Sequence, residues 1–229
     1  MSNKDWLVIS AGVSEHARMT DDPTLSRAER NRLQLRADII QAAFLEFSER
    51  GYHQTAIADI AQRLGIGHGT VYRHFENKRD LLDQVINETS LRLTALLTGE
   101  NAPTAVDTLA DYRAQCHRIV TRLNAFAVEN PGVLRLVLLE ATSVDAAMTQ
   151  RLFLLIEFMG QLVAGYMANG VQHGYFRDDL DCEATGRAVI GLIMGGMMGF
   201  LAQPDAPEAL ARYSDAAMAM LIDGAVKRA

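Results

Sequence analysis

The stretch Thr55-Ala-Ile-Ala-Asp-Ile-Ala-Gln-Arg-Leu-Gly-Ile-Gly-His-Gly-Thr-Val-Tyr-Arg-His-Phe75 decides the fold of this 229-residue chain. Ile57, Ile60, Ala61 and Leu64 recur at i, i+3, i+4 and i+7, which is one face of a helix. Thr55 suits the N-cap of that helix and Gly65 suits its stop. A second short helix then runs through Thr70, Val71, Tyr72 and Phe75. Two helices crossing at a tight turn need a small residue at the crossing and a turn residue that tolerates positive φ. They also need an apolar lock on the second helix. Counted from Ile57, Ala61 is fifth, Gly65 ninth and Val71 fifteenth, so each requirement is met. The spacing predicts a helix-turn-helix, with a hairpin used only for packing as the bland alternative.

The flanking sequence is helical as well. From Arg27 to Arg50 the apolar residues Leu35, Ile39, Ala43, Phe44 and Phe47 recur at helical spacing, and Gly51 ends the run. Asn77 is placed to cap a longer helix from Lys78 to about Leu97. Further helices are expected near 104–128, 132–141, 145–173, 182–202 and 207–227, separated by stretches rich in Gly, Pro, Asn and Asp. No segment alternates with period two between turn signals, so no strands are expected. The reading is all-α: a flexible tail over 1–25, a three-helix helix-turn-helix domain over 26–78 and a larger helical domain over 79–229.

Charge separates the two ends. Between Ser26 and Arg79 nine Lys and Arg face six Asp and Glu, a balance of +3 within a chain of net charge −6, so the remainder carries −9. A basic module on an acidic body fits contact with a polyanion through one end. Two cysteines, Cys116 and Cys182, leave no disulfide framework and point to a reducing compartment. The N-terminus has no apolar run long enough for a secretion signal. The longest apolar run, Ala188–Ala202, is about 15 residues against the roughly 20 that span a bilayer. A soluble, cytoplasmic protein is expected, with no membrane partner.

The run Thr55–Leu82, and within it Thr70-Val71-Tyr72-x-His74-Phe75-x-Asn77-Lys78-x-x-Leu81-Leu82, resembles the DNA-binding domain of the TetR (tetracycline repressor-type) family. The resemblance covers roughly residues 32–85. Beyond it the likeness is one of architecture, including Gly174-Tyr-Phe-Arg-Asp-Asp-Leu-Asp181 before the penultimate helix. It implies a homodimeric transcription regulator, usually a repressor, released from a palindromic operator in double-stranded DNA by a small-molecule effector. The C-terminal domain then binds the effector and makes the dimer.

The residue chemistry fits that implication. His68, Gly69 and Thr70 stand where a recognition helix enters the major groove, and Arg73 lies one turn on, suited to guanine O6 and N7. In the family, positions matching the first three commonly face bases. Tyr72 and His74 offer short donors to phosphate oxygens, Lys78 adds a charge, and Thr55 has both a capping role and a phosphate role. Core filling is the alternative for Tyr72. The chain departs from the family at Gly67, where a serine or another polar residue is common. Two glycines weaken the start of the helix by about 1 kcal/mol each relative to alanine, so it is expected to be loosely ordered without DNA.

In the body, Leu109, Tyr112, Cys116, Ile119, Leu123 and Phe126 form one helical stripe, and Met148, Leu152, Leu155, Met159, Leu162 and Tyr166 another. Both read first as core. The family places a pocket here, so Cys116, His117, Val120, Leu123, Asn124, Phe126, Met159, Leu162 and Tyr166 are the effector-contact candidates. His117, Asn124 and Tyr166 are the polar members, and methionines suit an adaptable apolar cavity. Gly191, Gly195 and Gly199 bare one face of the penultimate helix; with Tyr213, Ala217 and Met220 they are the candidate dimer interface. Intrachain packing is the alternative.

Other chemistry fits poorly. Gly65-Ile-Gly-His-Gly69 follows a helix rather than the strand that a dinucleotide loop requires. Asp178, Asp179, Asp181, Cys182, Glu183 and His173 match no standard metal spacing, whereas Asp181 as N-cap with Glu183 in the first turn accounts for two of them. Cys116 lies on the apolar stripe and reads as an inert thiol. No enzyme, cofactor or metal is expected. An enzyme and an effector-free architectural DNA-binding protein are the rival readings.

Overall fold

The computed structural model of the chain describes residues 25–226, which leaves nearly all of the expected N-terminal tail outside the described residues. It divides into two compact units, the first ending at Ala95 and the second beginning at Leu96. Both are helical; among the described residues the sole β contact is an isolated bridge between Phe176 and Val226.

The first unit holds α1 (Arg27–Arg50), α2 (Ile57–Leu64), α3 (His68–Tyr72) and α4 (Lys78–Ala95). The Ser26 hydroxyl accepts from the Glu29 amide, and the Glu29 carboxylate accepts from the Ser26 amide, so α1 starts with a reciprocal cap. Gly51 ends it at φ 86°, its N–H donating to the Phe47 carbonyl. Ile39, Ala43 and Phe47 on α1, Ile60 on α2, Val71 on α3 and Leu81 and Leu82 on α4 are fully buried. This shared core moves the division from the expected 78/79 to Ala95: α4 presents Leu81, Leu82, Val85 and Ile86 on its buried side and packs on α1. The nearly buried Glu46 of α1 takes Arg63 of α2 at 2.6 Å, and Arg50 bridges Glu46 to Asp59 at 3.5 and 3.0 Å. These pairs pin the first two helices together.

The second unit holds a 3₁₀ turn (Gly99–Asn101), α5 (Leu109–Glu129), α6 (Pro131–Arg135), α7 (Ala146–Gln172), α8 (Cys182–Ala202) and α9 (Pro207–Ala225). α5 starts at Leu109 rather than near 104, because Thr108 caps it by accepting from the Asp111 amide. The helix expected over 132–141 is broken: α6 passes into a π turn (Leu136–Glu140) and a 3₁₀ turn (Ala141–Ser143). Asp145 and Asp181 cap α7 and α8 through the Met148 and Ala184 amides at 2.6 and 2.9 Å.

α7 and α8 nearly touch. A Cβ at Gly186 would lie 2.5 Å from the Gly160 carbonyl oxygen and 2.8 Å from the Ala164 nitrogen. Both helices are long and apolar enough to cross a membrane on length and composition. Part of that surface is buried where the two helices pack on each other, with the Arg187–Glu157 ion pair at 3.0 Å beside it, while Phe153, Leu154 and Phe158 of α7 and Met198 of α8 stay exposed. Tyr112, Ile119, Tyr166, Met167, Phe176 and Ile222 form one apolar core, and Ala127, Met197, Phe200 and Leu210 a second.

Candidate nucleic-acid interface

α3 is a one-sided rod. Val71 is fully buried and Phe75, just past its end, is 2% exposed, which fixes which side faces the core. The opposite side carries His68, Gly69, Tyr72 and Arg73, all exposed, with Thr70 at the boundary. Tyr72 is 52% exposed, so its ring is not core filling. Gly65 makes the turn before α3 at φ 66° and leads out of α2 through its N–H on the Ala61 and Gln62 carbonyls. Ala61 is 2% exposed, as the close helix crossing requires.

The outward side chains are partly ordered by one another. Arg73 Nη2 donates to Thr70 Oγ1 at 3.1 Å, so two expected base-reading residues are presented together. The His68 and Tyr72 rings meet edge to face with centroids 6.5 Å apart. Gly67 is the N-cap position rather than an interior one, with φ −70° and ψ 141°, and its carbonyl accepts from the Thr70 amide at 2.8 Å. Glycine is tolerated at an N-cap at a cost of a few tenths of a kcal/mol, so only Gly69 carries the interior penalty. Neither glycine has an atom within 4 Å of where a Cβ would sit, so intrachain packing does not demand them.

Two expected phosphate contacts are used otherwise. Thr55 is 2% exposed and its hydroxyl donates to the Gly51 carbonyl at 2.8 Å. It does not cap α2: Ala56 holds that position, its N–H donating to Asp59 Oδ2 at 2.7 Å. Lys78 Nζ donates to the Tyr52 and Thr55 carbonyls at 2.9 Å each and sits 4.3 Å above the Tyr52 ring. Burial lowers its pKa from the ordinary lysine value. Both residues pin the turn between α1 and α2. His74 is half-buried; burial first, then the Arg36, Arg73 and Arg32 charges, hold its pKa below the usual histidine value.

The body residues are spread more widely. Cys116, Leu123 and Tyr166 share one core cluster. Burial raises the Cys116 thiol pKa, consistent with an inert group. The Tyr166 hydroxyl donates to the Asn101 carbonyl, and its pKa is pushed up to about 12, chiefly by burial. Asn124 Nδ2 donates to Ser214 Oγ at 3.1 Å, so two of the three polar candidates already have internal partners. His117 is exposed, while Val120, Phe126, Met159 and Leu162 are half-buried and belong to neither core cluster described above. An open groove of about 740 Å³ runs along the first half of α7, lined by Thr149, Phe153, Leu154, Ile156 and Glu157, and includes none of the candidates. The buried amides Gln115 and Asn101 were not anticipated. Gln115 lies three residues after Tyr112 and four before Ile119, so the helical stripe itself was the signal.

The glycine row on α8 is divided. Tyr213 of α9 lies on Gly195 and Gly196, its hydroxyl donating to the Leu192 carbonyl at 2.9 Å. Gly191 and Gly199 are exposed and open, Met198 and Met220 are 44% and 71% exposed, and Ala217 is half-buried. Gly195 and Tyr213 therefore serve intrachain packing at least in part.

A family model for bacterial regulatory proteins of the tetR family matches residues 39–85, from mid-α1 into α4. An HTH-type transcriptional repressor of Mycobacterium tuberculosis is 40% identical over 84 residues, 36% of this chain and 45% of the relative, so the match spans under half of that relative's length. The crystal structure of the regulator FadR from Bacillus subtilis in complex with stearoyl-CoA aligns with TM-score 0.69 at 20% identity, over 82% of this chain and 98% of that one. A SmeT–triclosan complex aligns with TM-score 0.69 at 22% identity, over 84% and 91%. At those identities the likeness carries the fold of both units and no ligand.

Proposed function

The chain belongs to the tetR family of bacterial regulatory proteins, and on that premise we propose that it is a homodimeric, cytoplasmic transcriptional repressor. It binds a palindromic operator through α3 and is released by a small, largely apolar effector. The observation that carries this is the one-sidedness of α3: Val71 is sealed inside while His68, Gly69, Thr70, Tyr72 and Arg73 stand outward on a rod one groove wide. Two copies about 34 Å apart would read successive major grooves of one duplex face.

The open positions Gly191 and Gly199, with exposed Met198 and Met220, support a seam between copies on α8 and α9. The methionine-containing cores of the body support an apolar effector, as do the stearoyl-CoA and triclosan held by the two structural relatives. Release requires the effector to favour a conformation of the dimer that fits DNA poorly, since a ligand shifts an equilibrium only by its differential affinity.

Selection from a pool of random duplexes, followed by sizing of the complex, tests the reading. Recovery of an inverted repeat bound by two chains is the expected result. A monomer indifferent to all duplexes at low ionic strength would overturn it.

A further inference from the structure

We infer that Arg32 and Arg36 of α1, with Arg73 and His74 beyond α3, form a single anion-binding patch that grips backbone phosphates flanking the groove that α3 enters. This rests on the duplex-binding reading above, adds two phosphate-gripping residues outside the helix-turn-helix motif, and assigns Arg73 to phosphate where its residue type alone had suggested a base contact.

Position comes first. Arg32 and Arg36 are four residues apart and share a face of α1. The Arg36 guanidinium lies 4.9 Å from the centroid of the Phe75 ring, which spans from α1 to the end of α3 and brings it alongside His74. Arg73 follows the last residue of α3, and its guanidinium is already turned back along that helix by Thr70. Four cationic or protonatable groups from two elements thus converge beside the recognition rod.

Charge comes second. Among the described residues no carboxylate forms an ion pair with Arg32, Arg36 or Arg73. Of the nearby acids, Glu29, one turn before Arg32, feels the Arg32 charge but is held first by the Ser26 cap, and Asp80 of α4 accepts from the Glu76 amide at 3.1 Å. The contrast with the rest of the unit is sharp, since Arg50, Arg63 and Arg79 all have carboxylate partners. Like charges gathered with no ion-paired carboxylate among them repel; a phosphate seated among them relieves the repulsion and releases counterions from the DNA. Arginine is also the side chain best shaped to fork onto phosphate oxygens.

His74 adds a second consequence. In the free protein burial and the three arginines disfavour its imidazolium form. A phosphate on the patch offsets the arginine charges, so the complex takes up protons at His74 and tightens as pH falls.

The test uses the whole chain and a short mixed-sequence DNA duplex, with affinity measured by fluorescence anisotropy across a salt series. For Arg32→Gln and for Arg36→Gln the slope of log K against log salt should shrink by about 0.9 for each phosphate left unneutralised, while Arg36→Lys keeps most of it. His74→Gln should flatten the pH dependence of binding with a much smaller change in slope. Circular dichroism and thermal unfolding confirm that each variant folds. If the parent binds duplex DNA but both Gln variants keep its slope, the patch is not a phosphate grip. If the parent itself ignores duplex DNA, the functional reading fails and takes the patch with it.

Discussion

Gly69 in α3 and Gly186 in α8 are both helical glycines, and they do opposite things. A Cβ at Gly69 meets nothing within 4 Å; at Gly186 it meets the Gly160 carbonyl oxygen at 2.5 Å. The first glycine is bare toward the outside, the second toward the chain's own next helix. The same contrast runs through the two units. In the N-terminal unit small and polar residues are arranged for a partner the chain does not contain, on a core that holds them still. In the C-terminal unit several comparable residues are consumed by internal packing, Tyr213 by Gly195 and Gly196, Tyr166 by Asn101 and Asn124 by Ser214, while Gly191 and Gly199 stay open.

The largest expected effect lies where the chain meets itself. Gly186→Val drives a branched side chain into the backbone of α7, where no rotamer change can relieve it, and should destabilise the body by about 3 kcal/mol. Urea unfolding followed by circular dichroism measures this directly. A variant as stable as the parent means that α7 and α8 do not approach as closely as described.

Next comes the lock of α3. Val71→Ala opens a hole in a fully buried site and should cost about 2 kcal/mol, together with duplex binding, because the rod loses its seat. Tyr72→Phe removes one exposed hydroxyl and should leave unfolding unchanged while weakening duplex binding. The two variants separate support from contact. Equal losses of stability in both would mean that Tyr72 is structural after all.

A smaller effect sharpens the comparison at its starting point. Gly69→Ala has room for its methyl group and should stabilise α3 locally by about 1 kcal/mol, seen as slower amide exchange across 68–72. Duplex affinity should fall if the bare backbone is there to approach DNA. Strong exchange protection of this helix already present in the free parent contradicts the loose ordering expected from its glycine.

These contrasts also explain what was legible in the sequence. α1 falls on its expected bounds because its apolar spacing is regular and Gly51 ends it, and the Ser26–Glu29 cap that fixes its start went unread. Ala61, Gly65 and Val71 read correctly because the helix crossing leaves each position one acceptable kind of residue. The cap expected at Thr55 falls instead at Ala56, and the internal bonds of Thr55 and Lys78 went unread, because residue type alone does not reveal direction. Each points at carbonyls of the α1–α2 turn, and only the folded backbone puts those carbonyls there. In the body, periodicity located the helices but not the partners of their polar residues. Asn124 meets Ser214 from 90 positions away, a pairing that no local pattern encodes. The break after Arg135 was equally hidden, since Leu136–Glu140 contains neither Gly nor Pro.

The smallest effect concerns pH, and it follows from a group that sits on the outward side of the divide. His74 has its pKa held below the ordinary value of about 6.5, by burial first and by Arg36, Arg73 and Arg32 next. The folded state therefore binds less proton there than the unfolded chain. Its contribution to stability is present above pH 6.5 or so and is lost as pH falls from there through the folded-state pKa, below which the loss stays constant. His74 is only partly buried, so solvent screening keeps the effect small. It is separable from the carboxylates: Asp59, lowered by the Ala56 amide and then by Arg50, loses its contribution only in the more acidic range below its own ordinary value of 3.8. Thermal unfolding of the free protein between pH 7 and 5 should thus show a shallow decline that His74→Gln reduces and Asp59→Asn does not. An unchanged decline in His74→Gln would place the titration on another group and remove the arginine field from the account of α3's surroundings.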